Sequence, residues 1–289
     1  MDKKKQAAFI GTIADFYDKH ARDLPWRHDT TPYRIVVSEI MLQQTQASRV
    51  VRKFDPFMKR FPSFASLAKA PLGQVLKEWQ GLGYNRRALN LQRLAQAVME
   101  KFKGKLSRAY DELADLPGIG PNTAGSILAF AFNIPHPFIE TNIRSVYIHF
   151  FFAKVEKSEG KKACKKIRDD ELFPFIQSTL DNAMKSGPFR NDPRKWYYAL
   201  MDYGAHLKQT LPNPSRRSAH HVRQSRFEGS NRQLRTRILR FIMSGQKTLG
   251  QVKKECADRT HTIARVQKNL ADLAKEGFIV KVKGRYSIK

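Results

Sequence analysis

The chain has 289 residues, with 53 Lys and Arg against 26 Asp and Glu, a net charge of +27 and 41% apolar residues. That is enough apolar material for a buried core, and the charge favours a polyanionic partner, nucleic acid ahead of an anionic membrane surface. No run of 18 apolar residues is present, so a membrane span is not expected, and two distant cysteines, Cys164 and Cys256, exclude a disulfide framework or a cysteine metal centre.

In chain order, the basic N-terminus reads as a folded helix rather than a signal peptide, because acids interrupt its apolar residues at helical spacing. Periodicity predicts helices over Ile35–Gln46, Leu72–Glu78, Arg86–Phe102, Thr123–Phe132 and Asn142–Phe152, separated by short Pro or Gly turns. Strand-like alternation is almost absent before residue 277. Residues 208–230 read as a loop or linker. Helices follow at Arg232–Met243, Leu249–Glu255 and Thr262–Glu276, with Gly277 placed to stop the last. The stretch FIVKVKGRYSIK then alternates like a hairpin turning at Gly284. Three helices and a two-stranded wing predict a small winged-helix module over 226–289. Its 16 Lys and Arg against 5 Asp and Glu suit DNA, although such modules also serve only to pack against a neighbour or bind protein.

The stretch LPGIGPNTAG, residues 116–125, joins two helices. Gly118 and Gly120 can take positive φ and admit a close backbone, and the N–H groups near Asn122 and Thr123 would point outward from a helix start. This is a phosphate cradle or an ordinary tight turn; the charge favours the cradle, which would read no base sequence.

With LPWRHDTTPY, SEIMLQQTQ, WQGLGYNRRALNL, LPGIGPNTAG, ETNIRSV and ALMDYGAHL in order over residues 8–225, the chain resembles the helix–hairpin–helix DNA glycosylases, and within them the adenine DNA glycosylases. The resemblance implies a mainly α fold of two helical subdomains with a DNA-binding cleft. The glycosylase domain would span 1–225, with a six-helix part at about 31–139 and a second part from 1–30 and 140–225.

It also implies chemistry. A base leaves when a proton or hydrogen bonds reach it while a carboxylate supports the oxocarbenium-like sugar, after the nucleotide has been flipped from the stack. Glu39, in an otherwise apolar helix, matches the family's acid; its plainer alternative is a cap or surface pair. Glu140 stands where the family carries Asp before Gly-Asn, and here Thr141 precedes Asn142, a base-pocket position. The alternative for Glu140 is a helix cap. The extra methylene moves its carboxylate by about a bond length, and a misplacement of ~1 Å can cost roughly a hundredfold.

Gln43, Gln44, Leu82 and Tyr84 match positions that enter the duplex and face the opposite base, with core packing as their alternative. Asn122 replaces the lysine that attacks C1′ in the endonuclease III branch, so water would be the attacker and no strand cleavage is expected. Ser145 stands where relatives often carry Arg.

Relatives bind a [4Fe–4S] cluster through four cysteines, which correspond here to Lys208, Ser215, Ser218 and Gln224, so no such cluster and no metal is expected. His220 and His221 read as phosphate contacts. The Nudix-like domain of adenine glycosylases has no counterpart in 226–289.

The expected function is a monofunctional, monomeric, cytoplasmic and nucleoid-associated glycosylase acting on double-stranded DNA. Its substrate would be adenine opposite 8-oxoguanine or guanine, or another lesion: uracil, a T·G mispair, hypoxanthine or an oxidised pyrimidine. The competing expectations are a DNA-binding protein without turnover and a regulator working through the C-terminal module.

Overall fold

The computed structural model describes residues 2–152 and 166–289; Cys164 lies outside the described residues. The described chain is mainly helical: α1 (Lys3–His20), α2 (Pro25–His28), α3 (Pro32–Leu42), α4 (Ala47–Arg60), α5 (Phe64–Lys69), α6 (Leu72–Trp79), α7 (Arg86–Phe102), α8 (Tyr110–Ala114), α9 (Pro121–Phe132), α10 (Thr141–Phe152), α11 (Asp169–Lys185), α12 (Pro193–Thr210), α13 (Asn231–Met243), α14 (Leu249–Cys256) and α15 (Ile263–Glu276). Three strands, β1 (Lys247–Thr248), β2 (Ile279–Val282) and β3 (Arg285–Ile288), complete it. No helix among the described residues is long and apolar enough to cross a membrane.

The periodic stretches fold close to expectation, with α7 keeping its predicted ends. The exception is α3, which stops at Leu42 rather than Gln46. Gln44 takes a φ of 55°, outside the helical region. Internal prolines, Pro56 in α4 and Pro174 in α11, hide those two helices from pattern reading because proline removes a helical hydrogen bond.

The chain divides into two compact units. The first holds residues 1–39, 107–115 and 119–223, and the second holds 40–106, 116–118 and 224–289. The division between Arg223 and Gln224 falls beside the expected boundary near 225, while those expected near 30 and 139 have no counterpart at those positions.

In the first unit, α10 and α12 form the central pair. Phe9 packs its ring at 4.9 Å from Phe150 and 5.9 Å from Trp196, edge to face. The two helices meet at Gly204, where a Cβ would fall 2.4 Å from the Asn142 carbonyl oxygen, so only glycine fits. Buried Asp202, on α12, takes the Arg22 Nε at 2.6 Å and the Arg27 Nη2 at 2.7 Å. A buried carboxylate is tolerated when charged donors satisfy it this way.

In the second unit, α5 and α6 pack on α7. Gln92 donates to the Ala70 carbonyl at 2.5 Å, and the Trp79 indole donates to the Gly83 carbonyl at 3.1 Å. The C-terminal helices and sheet belong to this unit. Gly277 ends α15 at a φ of 89°. The sheet corrects the expected two-stranded wing: it has three antiparallel strands in the order β1-β3-β2, with Lys247 opposite Tyr286. A two-residue strand is too short to show alternation in sequence.

Candidate active site

Glu39 lies two turns into α3, among Ile35, Val36, Val37, Ile40 and Met41, all at most 1% exposed. It is past the first turn, so a capping role is excluded. Burial, with a smaller contribution from the charge of Glu140, raises its pKa to about 7. Its Oε2 lies 2.5 Å from the Ser126 hydroxyl on α9. That hydroxyl is also 3.0 Å from the Thr123 carbonyl. Ser126 has one proton for two acceptors. When Glu39 is protonated, its own O–H donates to Ser126 and Ser126 donates to Thr123. When Glu39 ionises, Ser126 turns its proton toward it. The pair therefore holds either protonation state.

Glu140 precedes α10 and caps it: Oε1 accepts the N–H of Asn142 at 2.8 Å and of Ile143 at 3.3 Å. Its other oxygen has no donor among the described residues. Capping and facing the site are thus compatible, since they use different oxygens. The Asn142 side chain accepts from Lys208 Nζ at 2.7 Å. Burial lowers the Lys208 pKa, and the Glu140 charge opposes this. Arg144, rather than Ser145, carries the cationic side chain here, and it forms a two-pronged pair with Asp169 at 2.7 and 2.8 Å. Ser145 is buried and donates to the Thr141 carbonyl.

The structure brings Glu39, Glu140 and Asn142 together within the first unit. It also supplies Ser126 and Tyr198, which are missing from the sequence reading, and sets Lys208, read there only as the counterpart of a cluster cysteine, against Asn142. Tyr198 is 7% exposed, stacks on Phe130 at 4.7 Å, and lies where the charge of Glu39 acts on it. Its buried hydroxyl has no partner among the described residues. An orphaned hydroxyl beside an acid marks a place for a ligand atom or water. No spacing in the sequence announces it.

The hairpin needs one correction. Gly118, with φ 83° and a Cβ position only 2.9 Å from the Asn90 Cβ, does require glycine. Gly120 does not take positive φ: it is extended at −105°, caps α9, and has open space where a Cβ would stand. Asn122 spends its Oδ1 on the Ile139 N–H at 3.1 Å, which ties the start of α9 to the segment before Glu140. Thr123 opens the same helix.

In the second unit, Gln43 donates to the Gly118 carbonyl at 3.3 Å, and Gln44 is exposed. Leu82 is only 2% exposed, so the packing alternative holds for it: its side chain is core, and its carbonyl accepts from Thr45 and Arg87. Gln44 and Tyr84 both adopt left-handed φ, 55° and 47°. Such strain costs about 1 kcal/mol at a non-glycine residue and concentrates at functional turns.

Arg87, also unforeseen, explains how these turns are held. Its guanidinium donates to the carbonyls of Ile40, Met41, Gln43, Leu82 and Gly83 and to the Thr45 hydroxyl, at 2.6–3.1 Å. It thereby satisfies the last carbonyls of α3 and fixes the turn before Tyr84. Burial lowers its pKa to about 10.

The positions equivalent to cluster cysteines have other employment. Lys208 holds Asn142, Ser215 bonds Asn213, Ser218 pairs in a bridge with Ile167, and Gln224 donates to Tyr84. No group of three or more His, Cys, Asp or Glu suited to a metal occurs among the described residues. His220 does have a carboxylate neighbour, Asp169 at 3.9 Å.

A helical fold with a glycine hairpin between α8 and α9, and a half-buried acid on α3 that meets Ser126 of α9, defines a helix–hairpin–helix repair protein. The chain belongs to the HhH-GPD superfamily of base excision DNA repair proteins, whose family model matches residues 37–169. It is 42% identical over 198 residues to an adenine DNA glycosylase of Buchnera aphidicola subsp. Baizongia pistaciae, covering 68% of this chain and 52% of that protein. It is 32% identical over 154 residues to a thymine/uracil-DNA glycosylase of Methanothermobacter thermautotrophicus, covering 53% and 70%. A solved thermostable thymine-DNA glycosylase aligns with a TM-score of 0.58 at 28% identity, covering 70% of this chain and 87% of that one. The chain spans about half the length of the Buchnera adenine glycosylases it matches.

Proposed function

We propose that this chain is a monofunctional DNA N-glycosylase that hydrolyses the bond between a flipped base and its sugar in double-stranded DNA. The observation that carries this reading is the half-buried Glu39, held near neutrality with a pKa of about 7 and paired with a hydroxyl that can follow its proton. An acid with that pKa is protonated in a large fraction at pH 7 yet still gives its proton up, as a general acid must.

In this reading Glu39 protonates the leaving base. Glu140 offers its uncapped oxygen to the sugar cation or to the attacking water, and Lys208 orients Asn142 beside it. The orphaned Tyr198 hydroxyl bonds the edge of the base. The hairpin from Gly118 through Gly120 to Thr123 holds the phosphate backbone, while Gln43, Gln44 and Tyr84 address the duplex. Asn122 has no amine, so the product is an intact strand with an abasic site. With two cysteines in the sequence and none at the four matching positions, the enzyme works without an iron–sulfur cluster or metal. A monomer in the cytoplasm, on the nucleoid, fits these tasks.

Adenine opposite 8-oxoguanine or guanine is the leading substrate, supported by the adenine glycosylase relatives. A second reading, release of uracil or thymine, is supported by the thymine/uracil relative and by the Glu140-Thr141-Asn142 segment, which departs from Asp-Gly-Asn.

Single-turnover assays separate the readings. Duplexes carrying A opposite 8-oxoguanine, A·G, T·G, uracil, hypoxanthine and oxidised pyrimidines are incubated with the wild type and with Glu39→Gln, and products are read with and without hot alkali. Base release from one duplex class, lost in Glu39→Gln and visible only after alkali, supports the proposal. Tight binding without product from any duplex leaves a DNA-binding protein instead. Strand breaks without alkali overturn the monofunctional assignment.

A further inference from the structure

We propose that the C-terminal segment takes part in reading the duplex: Arg232, assisted by Gln224, is a positioning residue that holds the Tyr84 phenol in place. The inference rests on the reading of Tyr84 as the residue that enters the base stack.

Tyr84 sits on a turn with little support of its own. Its φ is 47°, and Gly81 and Gly83 flank it at 94° and 73°. A half-exposed tyrosine on such a turn would swing freely, and a freely swinging ring makes a poor wedge, because its ordering subtracts from binding. The phenol is nevertheless tied down from residues 224–232. The Gln224 side-chain amide donates to the Tyr84 hydroxyl at 2.5 Å, and Arg232 Nη1 donates to it at 2.9 Å. The Arg232 guanidinium also stands 4.9 Å from the ring centroid. Its other arm, Nη2, donates to the Ser225 carbonyl at 2.7 Å. One planar fork therefore clamps the linker with one prong and the phenol with the other, a task that lysine cannot reproduce.

The placement is built in. Ser230 caps α13 two residues before Arg232. Thr236, Leu239, Arg240 and Met243 of that helix line one crevice with Gly81, Gly83 and Asn85. Arg93 of α7 donates to the Glu276 carbonyl at 2.8 Å. The consequence for Tyr84 is chemical as well as mechanical. Its oxygen accepts twice, so its own hydrogen remains to donate to a base edge or a sugar oxygen, and an adjacent cation strengthens that donor.

The test uses the full chain and a duplex with 2-aminopurine beside the preferred lesion. Fluorescence on binding reports unstacking, and single-turnover rates report base release. Tyr84→Ala is expected to abolish the fluorescence rise. Arg232→Met is expected to reduce both the rise and the rate on the order of tenfold, the scale of one charge-assisted hydrogen bond. Gln224→Ala is expected to reduce them a few-fold. The doubly substituted Arg232→Met/Tyr84→Ala protein should be no worse than Tyr84→Ala alone. Gln224 lies in an exposed stretch, so Gln224→Ala carries the test if Arg232→Met does not fold.

A full-sized Arg232→Met effect in the Tyr84→Ala background, with a reduced salt slope, makes Arg232 a phosphate contact and overturns the inference. So do Arg232→Met and Gln224→Ala proteins that match the wild type. If Tyr84→Ala itself changes nothing, the wedge reading fails first and takes the inference with it.

Discussion

Glu39 in the first unit and Arg87 in the second are both ionisable groups withdrawn from water, and they are treated in opposite ways. Arg87 regains six acceptors, five of them carbonyls, and becomes a fastener for two turns. Glu39 receives one hydroxyl that has a second claim on its proton. Burial moves both pKa values, but Arg87, lowered to about 10, stays charged at neutral pH and structural, whereas Glu39, raised to about 7, is divided between its two forms and becomes available for chemistry. The reactive residue is thus marked by what its surroundings withhold.

The contrast is broken most directly at Glu39. Glu39→Gln is expected to lower single-turnover base release on the order of a thousandfold, the range of a lost general acid, while binding to the duplex persists. For the wild type, the rate should fall about tenfold per pH unit above the Glu39 pKa of about 7; a flat profile to pH 9 would remove Glu39 from proton transfer. The same residue opposes stability. Its folded pKa exceeds its ordinary value, so the folded state holds a proton that the unfolded state has lost between pH 4.5 and about 7. Stability therefore declines with rising pH across that window and levels above it. Glu39→Gln should flatten the slope and raise stability at pH 8 by about 2 kcal/mol, readable by denaturant titration.

Arg87→Met tests the other side. It takes the guanidinium from five carbonyls, of which Leu82 keeps the Thr45 hydroxyl and Gly83 the Trp79 indole, and a loss of about 3 kcal/mol is expected in thermal or urea unfolding. A loss below ~1 kcal/mol would mean that water replaces the guanidinium and that the fastener is dispensable.

Gly204→Ala is expected to cost about 1–3 kcal/mol through overpacking of α12 on α10. The Cβ would press on Asn142, so kcat should drop further than stability explains. An unchanged kcat would detach Asn142 from the reaction.

The smallest effect is expected at Tyr198. Tyr198→Phe removes a buried hydroxyl that has no partner among the described residues, and should leave stability unchanged or raise it by up to ~1 kcal/mol. Base release should nevertheless slow a few-fold. A stability loss instead would mean that the hydroxyl is bonded in solution by an ordered water.

Much of the helical architecture was legible because apolar residues recur at helical spacing in short segments, as in Arg86–Phe102. The helices containing Pro56 and Pro174 were hidden, and so was β1, because two residues cannot display a period. At the site, motif order pointed to Glu39, Glu140 and Asn142. Ser126, Tyr198 and Arg87 were not legible: their significance lies in partners 87, 159 and up to 47 residues from Glu39, Glu39 and Ile40 respectively, or in having no partner at all.

The amino-acid sequence alone determined the net charge, the helical class and the residue types available for proton transfer. These follow from composition and from local backbone geometry. Tertiary structure decided that Leu82 is core, that Gly120 is merely extended, that Glu140 caps a helix with one oxygen only, and that Tyr84 is held by a residue 148 positions away. Burial and hydrogen-bond partnership are properties of distant segments brought together, and no local pattern encodes them.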